Sequence, residues 1–300
     1  MSETQATHPT ATQHFFRQPT QNKPPTHHKT KQHTNPNPPK HHKKQPLTRA
    51  PLILMGAKGS PGGARLVTHV VLFDIDGTLI SNSAAEETLS KCYLKTIHDV
   101  VGIEASVIPS RFAGMVDPQI CKILLAETGL DGEKVEHFLP IVLTRMGQVY
   151  RGMEKKPMLN EGVEELLHIL TKSPRHILGV LTGNLSAVAT EKLRVTGIDS
   201  YFTEHFYADN YFDRNHLVED AVRACVANYK LRDRKNVIII GDTPRDMSAG
   251  NAANATSIGI ASGVFSMEQL SEAHATWVFS DLKPSNELLR ALALGLGARQ

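Results

Sequence analysis

The sequence is poor in cysteine, tryptophan and long apolar runs. Its three cysteines, Cys92, Cys121 and Cys225, lie far apart and outside any Cys-x-x-Cys pair. Spacing therefore offers neither a disulfide framework nor a thiolate metal site, and the three read as reduced, buried thiols of an intracellular protein. The patch Leu52-Ile53-Leu54-Met55 is too short for a signal h-region, and nothing approaches the roughly 18 apolar residues of a membrane span. There is no Walker A sequence, no glycine-rich dinucleotide fingerprint behind the first strand, no internal repeat and no basic surface interleaved with aromatics in the body. His98, His137, His168, His205, His216 and His274 show no metal-ligand spacing.

Acidic residues are scarce at the start of the chain. Residues 1–68 hold ten Lys or Arg and seven His against a single acid, Glu3, a charge of about +9. The net charge of the whole is +3, so the body carries about −6. Large apolar side chains in the first fifty residues are limited to Met1, Phe15, Phe16 and Leu47. Such a segment cannot bury enough surface to offset its conformational entropy, and disorder is expected over 1–66. A His-tract metal site, a nucleic-acid-binding arm and a transit peptide are the sharper alternatives. The location expected is the cytoplasm, or a mitochondrion or plastid if the tail is a transit peptide.

From His69 onward, short β-branched runs alternate with helical periodicity, the pattern of an α/β protein with a parallel sheet flanked by helices. Strands are expected at Val70 to Phe73, Ile177 to Leu181, Val237 to Ile240, Thr256 to Ile260 and Trp277 to Phe279, with a weaker one near Phe202 to Tyr207. A hundred residues separate the first two, more than one crossover helix can fill. The insert reads as helical: a capping-box pattern at Ser83 to Glu86 precedes Leu89, Tyr93, Ile97 and Val101, and Asp117-Pro118 offers an N-cap with Pro at the first helical position. Val135, Leu139, Val142, Met146 and Val149 form a further stripe, and Gly162 to Leu170 a last helix closed by Ser173-Pro174. The division expected is a tail at 1–66, a core from 67–80 and 174–300, and an inserted helical unit at 81–173.

The chemistry gathers at strand ends. Val70-Val71-Leu72-Phe73 runs into Asp74-Ile75-Asp76-Gly77, and if the extended conformation persists the two carboxylates meet at the carboxyl edge where open parallel sheets bind ligands. A calcium loop would need a third acid before the glycine and a flexible polar lead-in, which this strand is not. Leu181 leads into Thr182-Gly183-Asn184, which alone is equally a strand-to-helix turn capped by Asn184 or Ser186. Ile240 leads into Gly241-Asp242-Thr243-Pro244-Arg245-Asp246, where Pro244 turns the backbone and sets Asp242 and Asp246 toward the same edge. Carboxylates converging there need a counter-charge, and a hard divalent cation with oxygen ligands, Mg²⁺ best, supplies it.

These three segments, in this order, resemble motifs I, II and IV of the haloacid dehalogenase superfamily, and the helical insert resembles its C1 cap. Phe112-Ala113-Gly114-Met115-Val116-Asp117-Pro118-Gln119-Ile120 resembles a cap segment of the phosphoglycolate-phosphatase-like branch. The resemblance spans about residues 69 to 290 and implies a Rossmann-like core with a helical cap. It implies a phosphatase acting on a small phosphorylated metabolite, in which Asp74 attacks phosphorus and Asp76 serves as acid and then base. Mg²⁺ would sit on the Asp74 carboxylate, the Asp76 carbonyl and Asp242, with Asp246 near or in its shell. Thr182, Gly183 and Asn184 would hold phosphoryl oxygens, and the cap loop with Arg111, Gly114 and Asp117 would face the substrate. Arg111 is either a reader of an anionic substituent or a solvated side chain.

One departure stands out. No lysine follows the third strand, where the superfamily's motif III is expected. Arg214 sits there and would supply the positive charge, with Lys192 and Lys230 weaker candidates at positions that read as solvated helix surface. A phosphomutase sharing the first half-reaction, or a catalytically silent scaffold whose basic tail recruits an acidic partner, remain the alternatives.

Overall fold

The computed structural model describes residues 66–155 and 158–293, with backbone alone at 82–86 and 109. The tail and its alternatives lie outside the described residues. Six parallel strands form one sheet: β1 (His69–Phe73), β2 (His176–Leu181), β3 (Glu204–Phe206), β4 (Val237–Gly241), β5 (Thr256–Ile260) and β6 (Trp277–Phe279), in the order β3-β2-β1-β4-β5-β6. The strands read off the sequence are all present, the weak one shortened to three residues.

Burial on both faces explains the continuous apolar runs of the central strands. The period of two then sorts their side chains. Val71, Phe73, Leu178, Val180, Ile238 and Ile240 join one core cluster, while Val70, Leu72, Leu181, Val237 and Ile239 join another on the opposite face. The sheet is thus covered on both sides, an α/β Rossmann-like arrangement. Register is tight, with β1 held between β2 (Val71 opposite Leu178) and β4 (Val71 opposite Ile238).

Between β1 and β2 run α1 (Asn82–Val101), α2 (Pro109–Phe112), α3 (Asp117–Glu127), α4 (Gly132–Gly152) and α5 (Val163–Thr171). The first four enclose a core of their own containing Cys92, Ile97, Leu124, Val142 and Met146. It also takes in Leu185 and Val188 from the segment after β2, so the helical insert is seated on the sheet's carboxyl edge. The fifth helix behaves differently: Val163, Leu166, Leu167 and Leu170 belong to the sheet's core. The remaining helices are α6 (Ser186–Thr196), α7 (Arg214–Tyr229), α8 (Pro244–Ala252), α9 (Met267–Glu272) and α10 (Asn286–Ala291).

Helix starts depart from expectation in two places. α1 begins at Asn82 with Ser81 as its N-cap, so Ser83 lies inside the first turn rather than ahead of it. In α3, Asp117 is the first helical residue and Val116 the cap, which frees the Asp117 carboxylate for partners elsewhere. α8 follows the sequence pattern: Thr243 and Asp246 make a reciprocal capping box around Pro244. The three cysteines are free and buried. Among the described residues, no helix is long and apolar enough to cross a membrane.

Gly162 closes the return from the insert. It is the N-cap of α5 at φ +83, and a Cβ there would lie 2.3 Å from the Lys283 backbone nitrogen. Gly162→Ala therefore combines left-handed strain with a clash against main chain, and a loss of about 2–4 kcal/mol is expected. Thermal unfolding should show it as a drop of roughly 5–10 °C.

Candidate active site

The switch in strand order falls between β1 and β4, and their carboxyl ends carry Asp74 and Asp242. The backbone of Asp74 continues the ladder, its N–H donating to the Ile240 carbonyl at 2.9 Å. Asp246, one turn into α8, completes a buried group of three, each offering one carboxylate oxygen, with these oxygens all within 4.8 Å of one another. Gly77 lets β1's exit pass this close: it sits at φ +80, and a Cβ would come within 2.1 Å of Asp242 Oδ2. Thr78 Oγ1 adds a long hydrogen bond to Asp242 Oδ1, 3.4 Å.

Three carboxylates in so small a volume repel and are short of water. Burial pushes Asp74 up to about 7, with Asp246 and Asp76 adding to the rise and Arg214 opposing it. Asp242 is driven well above the ordinary carboxylate range, first by burial and then by Asp246 and Asp74. Arg214, the first residue of α7, is itself buried and pairs with Asp246 and with Asp74, the latter at 3.5 Å. With all three carboxylates ionised, as a bound cation would hold them, one guanidinium leaves two negative charges uncompensated. Asp246 uses Oδ2 to cap α8 through Thr243, while its Oδ1 accepts no hydrogen bond and rests against Arg214. The surplus charge and the hard oxygen donors fit a divalent cation held by Asp74, Asp242 and Asp246.

Asp76 is not part of this group. β1 ends at Phe73, and Ile75 tucks into the core while its carbonyl accepts from the N–H groups of Leu79 and Ile80. The turn aims Asp76 the other way, toward Lys192. Both Asp76 oxygens accept from Lys192 Nζ, at 2.7 and 2.5 Å, and Asn184 Oδ1 takes a further Nζ hydrogen at 2.8 Å. The reading of Lys192 as a solvated position is thus overturned: the side chain is only 1% exposed. Lys230 lies on the far side, lining a surface depression with Arg175 and Arg232 near the amino ends of the strands. The signal for Lys192 was present. Leu185, Val188, Ala189 and Leu193 make the buried face of α6, and Lys192 shares that face by helical spacing.

Motif-II residues fall in the same place. Thr182 is buried, and its Oγ1 accepts the Asn184 N–H at 3.3 Å. The Gly183 carbonyl accepts the Asp117 N–H at 2.7 Å. Asp117 Oδ2 accepts the Leu185 N–H at 2.8 Å and Oδ1 accepts the Tyr93 hydroxyl at 2.5 Å. Burial lifts its carboxyl to about 6 against the pull of those two hydrogen bonds. Arg214 donates to the Gly114 carbonyl and Arg245 to that of Ala113. The loop from Phe112 to Asp117 is therefore bound to the sheet edge at four points. Arg111 is not at the site: it pairs with Glu127 at 2.5 Å on the exterior and lies over the Phe112 ring.

The haloacid dehalogenase-like hydrolase family matches residues 71–260, well over half of the chain. The chain belongs to that family. Solved structures share its fold: a predicted phosphatase from Clostridium acetobutylicum (21% identity, 76% of this chain and 100% of that one, TM-score 0.56); a predicted phosphoglycolate phosphatase from Haemophilus somnus (19%, 76% and 99%, 0.56); and a β-phosphoglucomutase from Clostridium difficile (17%, 76% and 98%, 0.57). No curated protein matches the sequence.

Asp117 ties α1, α3 and the motif-II turn together, and its replacement separates two kinds of loss. Asp117→Ala strands the buried Leu185 N–H and Tyr93 hydroxyl, and should cost about 2–4 kcal/mol. Asp117→Asn can still accept from Leu185 and donate to a rotated Tyr93 hydroxyl, so a loss of about 1 kcal/mol or less is expected in the same denaturation measurement.

Proposed function

We propose that this hydrolase is a Mg²⁺-dependent phosphatase that cleaves a small phosphate monoester through an aspartyl-phosphate on Asp74. The observation that carries the reading is the division of the site into two charged halves. Asp74, Asp242 and Asp246 face Arg214 on one side, and Asp76 faces Lys192 on the other. A cation bound by the three carboxylates would neutralise charge on the phosphoryl oxygens and on Asp74.

Asp74 Oδ attacks phosphorus and the bond from phosphorus to the ester oxygen breaks, leaving an alkoxide. Asp76, entering the step with one oxygen protonated and turned from Lys192, delivers the proton that the alkoxide takes up. The deprotonated Asp76 then accepts a proton from water, whose oxygen attacks the aspartyl-phosphate. Inorganic phosphate departs and both carboxyl groups return to their starting state. Thr182 and the Gly183 backbone flank the phosphoryl position, and Arg214 adds a fixed fork toward it. Lys192 is a positioning residue: it orients Asp76 by holding both of its oxygens. A phosphomutase would run the same first half and return the phosphoryl group to a sugar.

The test is phosphate release by the purified chain from a panel of small monoesters, with and without Mg²⁺. Chelation should abolish release, and Asp74→Asn should keep the fold while falling below about one per cent of the parent rate. Release that survives either change overturns the reading. Lys192→Met should lower the rate about 100-fold. The loss should be steeper for alkyl phosphates, whose alkoxide needs a proton, than for acyl phosphates, whose leaving group does not. An equal loss on both would show that Lys192 acts on the phosphoryl group instead of on Asp76.

A further inference from the structure

A cavity opens above Asp74 between the sheet edge and the inserted helices.

The wall that the inserted helices give this cavity is apolar. Leu89, Val107, Phe112, Met115 and Ile120 line it from the helical insert. The polar groups on the same side are Ser90, Tyr93 and Asp117, and the last two are spent on each other. Among the described residues that line the cavity, the only cation is Arg214, turned toward Asp74 and Asp246. Arg111, the cation that the sequence offers beside this loop, is paired with Glu127 outside. A carboxylate on the leaving group would be buried against hydrocarbon, with Asp76 and Asp117 nearby and no partner, which is strongly unfavourable. A hydrated polyol would lose hydrogen bonds that this wall does not replace.

We infer, resting on the phosphatase reading, that the natural leaving group is an uncharged, mainly apolar alcohol. The selection is by charge: phosphoglycolate has nearly the same bulk as propyl phosphate and differs in its carboxylate.

Two measurements separate this inference from the reading beneath it. Binding of propyl phosphate, phosphoglycolate, phosphoethanolamine and glucose 1-phosphate to Asp74→Asn in Mg²⁺ is measured calorimetrically, and kcat/KM on the same esters is measured with the parent chain. Propyl phosphate should exceed each of the others at least tenfold in both. A Leu89→Arg variant, which sets a cation in the wall, should narrow or reverse the preference over phosphoglycolate. If the parent chain hydrolyses phosphoglycolate, phosphoethanolamine or glucose 1-phosphate as well as propyl phosphate, the inference is overturned and the phosphatase reading stands. If the binding order holds but no ester is hydrolysed, the selective wall stands and the phosphatase reading falls. Failure of all four esters to bind overturns both.

Discussion

Everything at the carboxyl edge of this sheet is organised around a like-charge problem. Four carboxylates, Asp74, Asp76, Asp242 and Asp246, are brought to one edge by two separate segments, and three of them are buried. Left alone they would repel, and burial would favour their neutral forms. The fold answers by separation: the turn at Ile75 sends Asp76 away from the other three, toward its own lysine. Each half then has its own cation, and each cation comes from a helix that must be packed before it can point inward. Arg214 heads α7, where a positive charge opposes the helix dipole, so its place there is set by the acids it faces and not by helix preference. Lys192 lies two turns into α6, on a face otherwise apolar.

That requirement links the insert to the core. α6 holds Lys192 in place, and Leu185 and Val188 from the same segment belong to the core of the inserted helices. The Leu185 N–H is taken by Asp117 of the insert, and Arg214 also donates to Gly114. The elements that neutralise the acids are therefore the ones that seat the inserted helices. A change in how those helices rest on the edge acts on the cation positions as well as on the space above Asp74.

The sheet and its acids were legible in the sequence because their signals are local. Apolar runs such as Val237 to Ile240 end on polar residues, and the buried strands carry no surface face to blur the pattern. The gap between the first two strands announced an insert for the same reason, since chain length alone excludes a single crossover. What could not be read was pairing at a distance. Asp117 looked like a helix cap because Asp-Pro is a local cap pattern, and only the docking of α3 against Tyr93 and Leu185 gives its carboxylate different partners. Lys192 was misjudged because lysine is usually solvated, although its spacing with Val188, Ala189 and Leu193 already placed it on the buried side. The direction of Asp76 depended on Ile75, whose burial closes a turn that β-strand alternation does not anticipate.

The same contrast bears on specificity. Residues that do chemistry here are charged, and burying a charge demands a visible partner, so their sites can be reasoned toward from sequence. Residues that choose the substrate are apolar and sit on helices whose apolar stripes serve the insert's own core. Phe112 and Ile120 are counted in that core and also line the cavity, so nothing in their spacing distinguishes the two duties. What distinguishes them is a mismatch in kind: a wall of hydrocarbon directly opposite a cluster of charge, with Arg111 bound away on the exterior. A site built for an anionic leaving group would have to cover the cost of burying that charge with a cation in the wall. This chain instead gives its buried cations to its own carboxylates.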